Sequence, residues 1–355
     1  MEVRAYRDSD SKGISEMMKR CFLNDVENIA RSFEPEYYLW KYKKNVFGKP
    51  IVWVAEEDGQ IISFFAILPR IFWMKDREFF VGHHLDAFMD PRFQGRGIFK
   101  KMIENAFRET RACGMEIIMG TPNKPTVPLW VEKHGFSFCF EYRCLVRPLN
   151  FDSIIRTRLP NRTLSKVLGL PLSIFYRMFF RKHIGKKCIK IEKIDGPNGR
   201  IDEVWEKNKR GYTFTYVKNS DYLNWRFVEN PEDYDFYIIR GRGEPIGYAV
   251  VKITEINRFT FAHMVDLMMP ANDIESLGTT IDHMCNILKR QEYDFLSCWA
   301  LKGSRFKSLL KRFGFIERRK EYFFVMRSNK EGVTIPDNIN DINLWTFSHG
   351  DTDEI

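Results

Sequence analysis

One short segment of this chain carries residues suited to two kinds of chemistry, proton transfer and phosphate binding. His84 to Met102 reads His-Leu-Asp-Ala-Phe-Met-Asp-Pro-Arg-Phe-Gln-Gly-Arg-Gly-Ile-Phe-Lys-Lys-Met. A histidine has the unperturbed pKa of a base near neutral pH, and Asp86, two residues on, can orient His84 or hold a substrate ammonium. Further along, Gly95 and Gly97 allow the backbone to come close to a ligand, and a helix start there offers unpaired N–H groups and a positive dipole end to a phosphate. Arg92 and Arg96 add fixed positive charge beside those donors. The segment is a candidate pyrophosphate cradle with candidate catalytic groups, His84 and Asp86, just upstream.

Such groups act only if the chain holds them in place. The apolar run Leu85 to Met89 predicts a buried strand, Asp90-Pro91 breaks it, and Ile98, Phe99, Met102 and Ile103 repeat at helical spacing. Because side chains alternate along a strand, His84 and Asp86 are expected on one face and His83 on the other. The plain alternatives stay open: a tight strand-to-helix turn with solvated arginines, and structural polar groups at a strand entry. Two other phosphate motifs fit less well. A dinucleotide fingerprint needs a third glycine where Lys100 stands, and no Gly-Lys-Ser/Thr follows for a Walker loop.

Arg92-x-x-Gly95-x-Gly97, entered from a strand and left into a helix, resembles the acyl-CoA-binding signature of the GNAT N-acetyltransferase superfamily, Q/R-x-x-G-x-G/A. Other elements are similar in order. Met1 to Arg7 resembles the family's first strand and Asp8 to Phe22 its first helix. Val52 to Ala55 and Ile61 to Leu68, around Glu57-Asp58-Gly59, read as a hairpin. Met115 to Met119 reads as a strand, Thr121-Pro122-Asn123 as its loop, and Val127 to His134 as a short helix closed by Gly135-Phe136. The resemblance implies an α/β fold with a mixed sheet and acetyl-CoA as acyl donor. It places cofactor contacts at Arg92, Phe93, Gln94, Gly95, Arg96, Gly97, Ile98 and Asn123, with Phe88 and Met89 pairing the pantetheine through their backbone. One departure stands out: the family's thiolate-protonating tyrosine falls on Val131, beside Trp130, which leaves Tyr142, within reach by sequence alone, water, or a group from the second domain to protonate the thiolate.

A second feature is an internal repeat. Trp40-Lys41-Tyr42-x-x-Asn45 recurs as Trp225-Arg226-Phe227-x-x-Asn230, and the same offset lays Val52-Trp53-Val54 over Tyr237-Ile238-Ile239 without a gap. The second copy continues with a strand at Phe259 to Met269, a helix at Ile274 to Lys289, a strand at Phe295 to Ala300, a helix at Ser304 to Phe313, and Gly314-Phe315. Where the first copy has its paired glycines, the second has Pro270-Ala271-Asn272-Asp273-Ile274-Glu275, whose acidic groups repel a pyrophosphate. The expected layout is an acyl-CoA-binding domain over 1–150, a basic interdomain segment over 151–194, a degenerate GNAT-like domain over 195–330 that shapes the acceptor side, and a tail over 331–355. At 355 residues the chain has room for two such units. The repeated aromatic boxes stand in both copies, including the one without glycines, so packing is their expected role rather than stacking on a sugar.

Hydrophobic residues at 44% and charged ones at 29% are globular values, which sets disorder aside. Seven cysteines with no C-x-x-C spacing argue against a disulfide framework or zinc ribbon, so no metal is expected and a reducing cytoplasm is. Cys139 and Cys144 read as small core residues. The start Met1-Glu2-Val3-Arg4 has no signal-peptide character, and no apolar run approaches a membrane span.

Ten Lys or Arg and no Asp or Glu lie between Ser153 and Ile191, so this segment carries all of the chain's +9 excess. Leu164, Val167, Leu168, Ile174, Phe175 and Met178 are interleaved with those cations. Such an amphipathic stretch suits peripheral contact with an anionic membrane through 156–190, or packing on the protein with its cations in solvent. No nucleic-acid motif accompanies it. In the tail, Trp345 to Asp353 combines aromatic residues with two carboxylates that suit a cationic amine or a metal, against a default of a frayed terminus.

The leading expectation is therefore a cytoplasmic acetyl-CoA-dependent N-acyltransferase acting on a primary amine of a small molecule, an amino sugar among the candidates. Two rivals are a non-catalytic CoA-binding or membrane-docking scaffold and a Fem-type aminoacyl transferase, a class that also uses tandem copies of this fold but normally lacks the CoA signature.

Overall fold

Strand β1 (Glu2–Ala5) and helix α1 (Asp10–Cys21) are tied by the Asp10 carboxylate. It accepts hydrogen bonds from the Arg4 guanidinium at 2.7 and 2.8 Å and from the Arg7 amide at 2.7 Å, fixing where the helix begins. The computed structural model describes residues 1–21, 34–159, 161–180 and 187–352, without the side chains of Arg162, Lys166 and Arg177. Phe22, Arg181, Lys182, Lys186 and Asp353 lie outside the described residues.

Helix α2 (Pro35–Lys43) starts on a proline, which suits a first turn, and buries Tyr37, Tyr38, Trp40, Lys41 and Tyr42. Strands β2 (Ile51–Glu57) and β3 (Gln60–Met74) form the expected hairpin; Asp58 and Gly59 both have positive φ, 50° and 76°, as a two-residue turn of this hand requires. Strand β4 (Arg77–Met89) pairs with β3, helix α3 (Ile98–Ala112) crosses over, and β5 (Ile117–Gly120) returns parallel to β4. The strand predicted from Leu85 thus begins eight residues earlier, at Arg77. Met102, Ile103 and Ala106 of α3 pack on Phe65, Ile67 and Ile118 to make the core of this layer.

The chain then continues through β6 (Ser137–Pro148), α4 (Phe151–Arg156), α5 (Arg162–Phe180), β7 (Ile189–Ile194), α6 (Gly199–Asn208), β8 (Phe214–Tyr216) and α7 (Ser220–Leu223). Next come β9 (Tyr234–Gly241), β10 (Glu244–Ile256), β11 (Phe259–Met268), α8 (Ile274–Arg290), β12 (Phe295–Leu301), α9 (Arg305–Arg312), β13 (Ile316–Glu317) and β14 (Tyr322–Ser328).

These elements gather into two units, neither contiguous in sequence. The first comprises Met1–Cys139, Phe214–Glu232 and Phe323–Asn340; the second comprises Phe140–Thr213, Asp233–Tyr322 and Asp341–Ile355. Strand order in the first is β1-β2-β3-β4-β5-β14, with β8 added to the end of β3; in the second it is β7-β9-β10-β11-β12-β6. The two orders are the same in kind: an antiparallel meander, one parallel crossover through a helix, and a last antiparallel strand drawn from the other half of the chain. The fold is a mixed α/β one, duplicated.

The repeated aromatic boxes both fall in the first unit. Trp40 and Trp225, 3% and 1% exposed, stack with ring centroids 5.3 Å apart, and Trp40 Nε1 donates to the Trp225 carbonyl at 2.9 Å. Packing is their role. The tail departs from the frayed terminus expected of it: Trp345, Phe347, His349 and Asp351 are all buried in the second unit. Among the described residues no helix is long and apolar enough to cross a membrane, and no group of three or more His, Cys, Asp or Glu could hold a metal ion.

Candidate functional site

The turn between β4 and α3 has the geometry that anion binding needs. Gly95 and Gly97 adopt left-handed backbone, φ 79° and 73°, and Gly97 is the residue from which α3 starts. A Cβ at either position would meet nothing within 4 Å, so the glycines answer to backbone conformation and leave the space beside the turn open. Gln94 N–H is bonded to the Pro91 carbonyl; the next backbone donor paired among the described residues is Lys101, on the Gly97 carbonyl. The first-turn amides of α3, at Ile98 to Lys100, have no intrahelical acceptor, and a helix mouth of this kind favours an anion.

The arginines behave differently from the sequence reading. Arg92 forms a two-pronged ion pair with Asp90, Nε to Oδ1 at 3.0 Å and Nη2 to Oδ2 at 2.6 Å, and that hydrogen bonding holds the Asp90 carboxyl below the usual range. Arg96 lies 3.4 Å from Glu57. Neither is an uncompensated charge, so the turn's backbone donors carry more of any anion binding than the arginine count suggests. Phe93 ends the short 3-10 turn Pro91–Phe93, whose cap is Asp90, and both guanidinium groups lie over its ring.

Beside this turn the sheet opens. β4 and β5 are paired only from Val81/Ile117 to His84/Gly120; β5 ends there, while β4 runs on to Met89. From Leu85 to Met89 the edge of β4 that β5 leaves has no strand paired to it among the described residues, which makes a slot in the sheet, with Ala87 exposed and Phe88 and Met89 half-buried. Ser63 Oγ donates to the Phe88 carbonyl at 2.7 Å on the other side of the strand. In the loop after β5, the Asn123 side-chain oxygen accepts from the Thr126 hydroxyl at 2.7 Å and amide at 3.2 Å and so caps the turn that follows.

His84 and Asp86 do not share a face. A β-bulge lies between Ala66 and Ile67 of β3: Ala66 pairs with Asp86 and Ile67 with His84, leaving Leu85 as the extra residue. That residue breaks the alternation, so the expected pairing of His84 with Asp86 gives way to His83 and Asp86 on one side and His84 on the other. His84 stacks on Trp130 at 4.1 Å and packs with Phe65 and Phe136. Asp86 pairs with the buried Lys41 ammonium at 2.6 Å and accepts from the Tyr42 hydroxyl at 2.7 Å. His83 Nδ1 lies 2.8 Å from the Tyr216 hydroxyl.

Burial, with a smaller contribution from His134, pushes His84 down to about 3, and burial with Arg70 also lowers His83. His84 Nε2 has no hydrogen-bond partner among the described residues. Because the folded His84 resists a proton that the unfolded chain accepts below about 6.5, its contribution to stability is present above 6.5 and lost as pH falls toward 3. Between pH 6.5 and 5 the loss is about 2 kcal/mol. Urea unfolding at both pH values should show it in the wild type and a smaller drop in His84→Phe; equal drops in the two would contradict the assignment.

The imidazole also explains Gly120: a Cβ there would sit 1.7 Å from His84 Nε2. Gly120→Ala should displace the ring and cost about 1–3 kcal/mol of stability. Thermal melts would read this, and an unchanged melting temperature would show that His84 does not occupy that position.

A search of curated proteins returns no match to this sequence. The family model of the GNAT acetyltransferase domain matches residues 2–138. Among solved structures, a GCN5-related N-acetyltransferase from Anabaena variabilis is 14% identical at TM-score 0.62, covering 93% of this chain and 73% of its own. N-myristoyltransferase from Saccharomyces cerevisiae with bound myristoyl-CoA is 11% identical at TM-score 0.63, covering 92% of this chain and 82% of its own. A probable N-acyltransferase from Enterococcus faecalis V583 is 11% identical at TM-score 0.62, covering 92% and 72%. At these identities the neighbours show the fold, and their coverage takes in both units.

Within the matched residues, two escaped the sequence reading. Lys41 and Tyr42 belong to the aromatic box, read as packing, yet both reach Asp86; the signal was a lysine inside an otherwise aromatic helix turn. Tyr142, in contrast, lies in the second unit, 1% exposed and stacked on Tyr322 at 5.4 Å. Cys139 is buried, and burial raises its thiol pKa strongly; Cys144 is half-buried, and desolvation pushes it up to about 11.

The second unit repeats the design with its features altered. Its bulge falls between Val250 and Val251, pairing with Asp266 and Met264, so His83-His84-Leu85-Asp86 corresponds to His263-Met264-Val265-Asp266. β11 and β12 also part after Met264/Cys298. Here the tail enters: His349 stacks on Trp299 at 3.7 Å, and Ser348 Oγ donates to Asp266 at 2.9 Å. A cavity of about 370 Å³ remains beside it. At the start of α8, Asp273 accepts from the Ser276 amide at 3.0 Å and pairs with Lys187 at 2.7 Å, which fills the place that paired glycines hold in the first unit.

Proposed function

We propose that this protein transfers an acyl group, acetyl in the first instance, from acyl-CoA to a primary amine of a small molecule, with the first unit as the donor site. The observation that carries this is the joint geometry of the β4/β5 slot and the left-handed Gly95/Gly97 turn at its mouth. The turn's amides receive the pyrophosphate, the open edge of β4 around Phe88 and Met89 pairs with the pantetheine, and Arg92, Phe93, Gln94, Arg96, Ile98 and Asn123 border it. A donor thioester laid along that edge reaches the level of Asp86.

Asp86 holds the incoming ammonium and takes its proton, and Lys41 and Tyr42 fix the carboxylate in position. The amine nitrogen attacks the thioester carbonyl, the C–S bond breaks as the tetrahedral adduct collapses, and the proton that the nitrogen then sheds passes through water to the departing thiolate. His84, held neutral behind the strand, shapes the closed end of the slot. The rings of His84, Trp130, Phe65 and Phe136 fill the space there, which favours a short acyl group over a long one. An amino sugar is one acceptor class, its ammonium held by the Asp86 carboxylate.

Thiol release from acetyl-CoA, followed with a disulfide reagent against amino sugars, amino acids and peptides, tests the reading. Amine-dependent release with an N-acetylated product supports it. A protein that binds acetyl-CoA but turns over none of these amines would favour the non-catalytic CoA-binding alternative.

A further inference from the structure

Helix α5 is amphipathic the wrong way round. The residues it turns toward the rest of the second unit follow at three- and four-residue spacing and are small or polar: Ser165 and Gly169 are buried, and Ser173 and Tyr176 are half-buried. Gly169 lies so close to α4 that a Cβ would sit 2.7 Å from the Asp152 amide nitrogen, and the Tyr176 hydroxyl donates to the Gly314 carbonyl. Its large apolar side chains point out: Val167 is 61% exposed, Leu170 63%, Phe175 67%, Met178 70% and Phe179 62%. A helix that buries glycine and serine while exposing phenylalanine and methionine leaves a contiguous apolar strip in water, which single scattered residues do not.

Under this helix lies a cavity of about 670 Å³ whose lining has one sign of charge. Arg147, Lys190, His283, Lys289 and Arg290 border it with Ser173 and Tyr176, and no carboxylate is among the lining residues. Arg147 Nε is buried without a hydrogen-bond partner among the described residues. The segment around α5, 153–191, has ten Lys or Arg and no acidic residue.

We propose that α5 lies in the headgroup layer of an anionic phospholipid membrane, its apolar strip inserted among acyl chains and an anionic headgroup taken into the basic cavity beneath. Charge and apolarity together select this occupant: hydrocarbon accepts Phe175 and Met178, and phosphate accepts Arg147 and Arg290. Among the described residues no helix is long and apolar enough to cross a membrane, and an amphipathic helix of this kind rests in the plane of the interface. The inference stands apart from the acyl-transfer reading and does not need it.

Flotation with phosphatidylglycerol/phosphatidylcholine vesicles tests it, with pure phosphatidylcholine vesicles beside them. The full chain should float with the anionic vesicles, less with neutral ones, and less as salt rises. Phe175→Glu with Met178→Glu, both exposed and so tolerated by the fold, should lower partitioning on the order of 100-fold. Arg147→Gln with Arg290→Gln should remove the preference for phosphatidylglycerol while leaving weak binding. No flotation of the wild type would overturn the proposal. Sedimentation showing a wild-type dimer that Phe175→Glu/Met178→Glu makes monomeric would also overturn it and assign the strip to a second copy of the chain.

Discussion

Replacing Gly95 and Gly97 together by glutamate should abolish measurable acetyl-CoA binding while the chain stays folded. Both positions have φ near 75°, where a side chain costs about 1–2 kcal/mol per residue. Two carboxylates would then stand where a helix mouth favours an anion, each opposing the pyrophosphate by about 1 kcal/mol. The sum corresponds to a loss on the order of 1,000-fold or more in affinity. Nothing lies within 4 Å of either added Cβ, so the penalty falls on the turn and not on the core. Circular dichroism should therefore match the wild type, and calorimetry should show no heat of binding. Retained affinity in a folded variant would mean that CoA does not use this turn.

The second large effect concerns Asp86. Asp86→Asn should lower turnover on the order of 100- to 10,000-fold with acetyl-CoA affinity unchanged, because only the amine side loses its carboxylate. It should also destabilise the chain: the Lys41 side chain is 1% exposed, and breaking a buried pair from one side costs about 3–5 kcal/mol. Lys41→Met combined with Asp86→Asn separates the two roles. Removing both charges should recover most of the stability, since replacing a buried pair by neutral groups is close to neutral overall. Turnover should not return. A double variant that regains both would show that Asp86 acts only as a partner for Lys41.

The parts of this molecule that read directly from sequence are those set by local chemistry. Glu57-Asp58-Gly59 marks a hairpin because only certain residues accept positive φ in succession, and Arg92-x-x-Gly95-x-Gly97 marks a strand-to-helix turn for the same reason. The ungapped repeat at Trp40 and Trp225 foretold duplicated strand orders. What escaped the sequence is non-local. One extra residue, Leu85, inside an apolar run leaves no trace until β3 pairs against it, yet it moves Asp86 to the side of Lys41 and Tyr42. The exchange of last strands between halves, β14 into the first unit and β6 into the second, is a matter of topology that periodicity cannot register. Asp90 and Glu57 pair with the motif's arginines across turn and hairpin, and the acidic tail looks disordered in composition because the aromatic surface that receives it, around Trp299, lies fifty residues away. The α5 strip was visible as an apolar and basic stretch, but which face it buries is decided by Gly169 meeting Asp152.

The measurement that most directly tests the donor-site reading is calorimetric titration of acetyl-CoA into the wild-type chain. The expected result is saturable binding with one site per chain, since one unit has an open slot with a glycine turn and the other has its slot entered by Ser348 and His349. No binding, or two sites per chain, would contradict it.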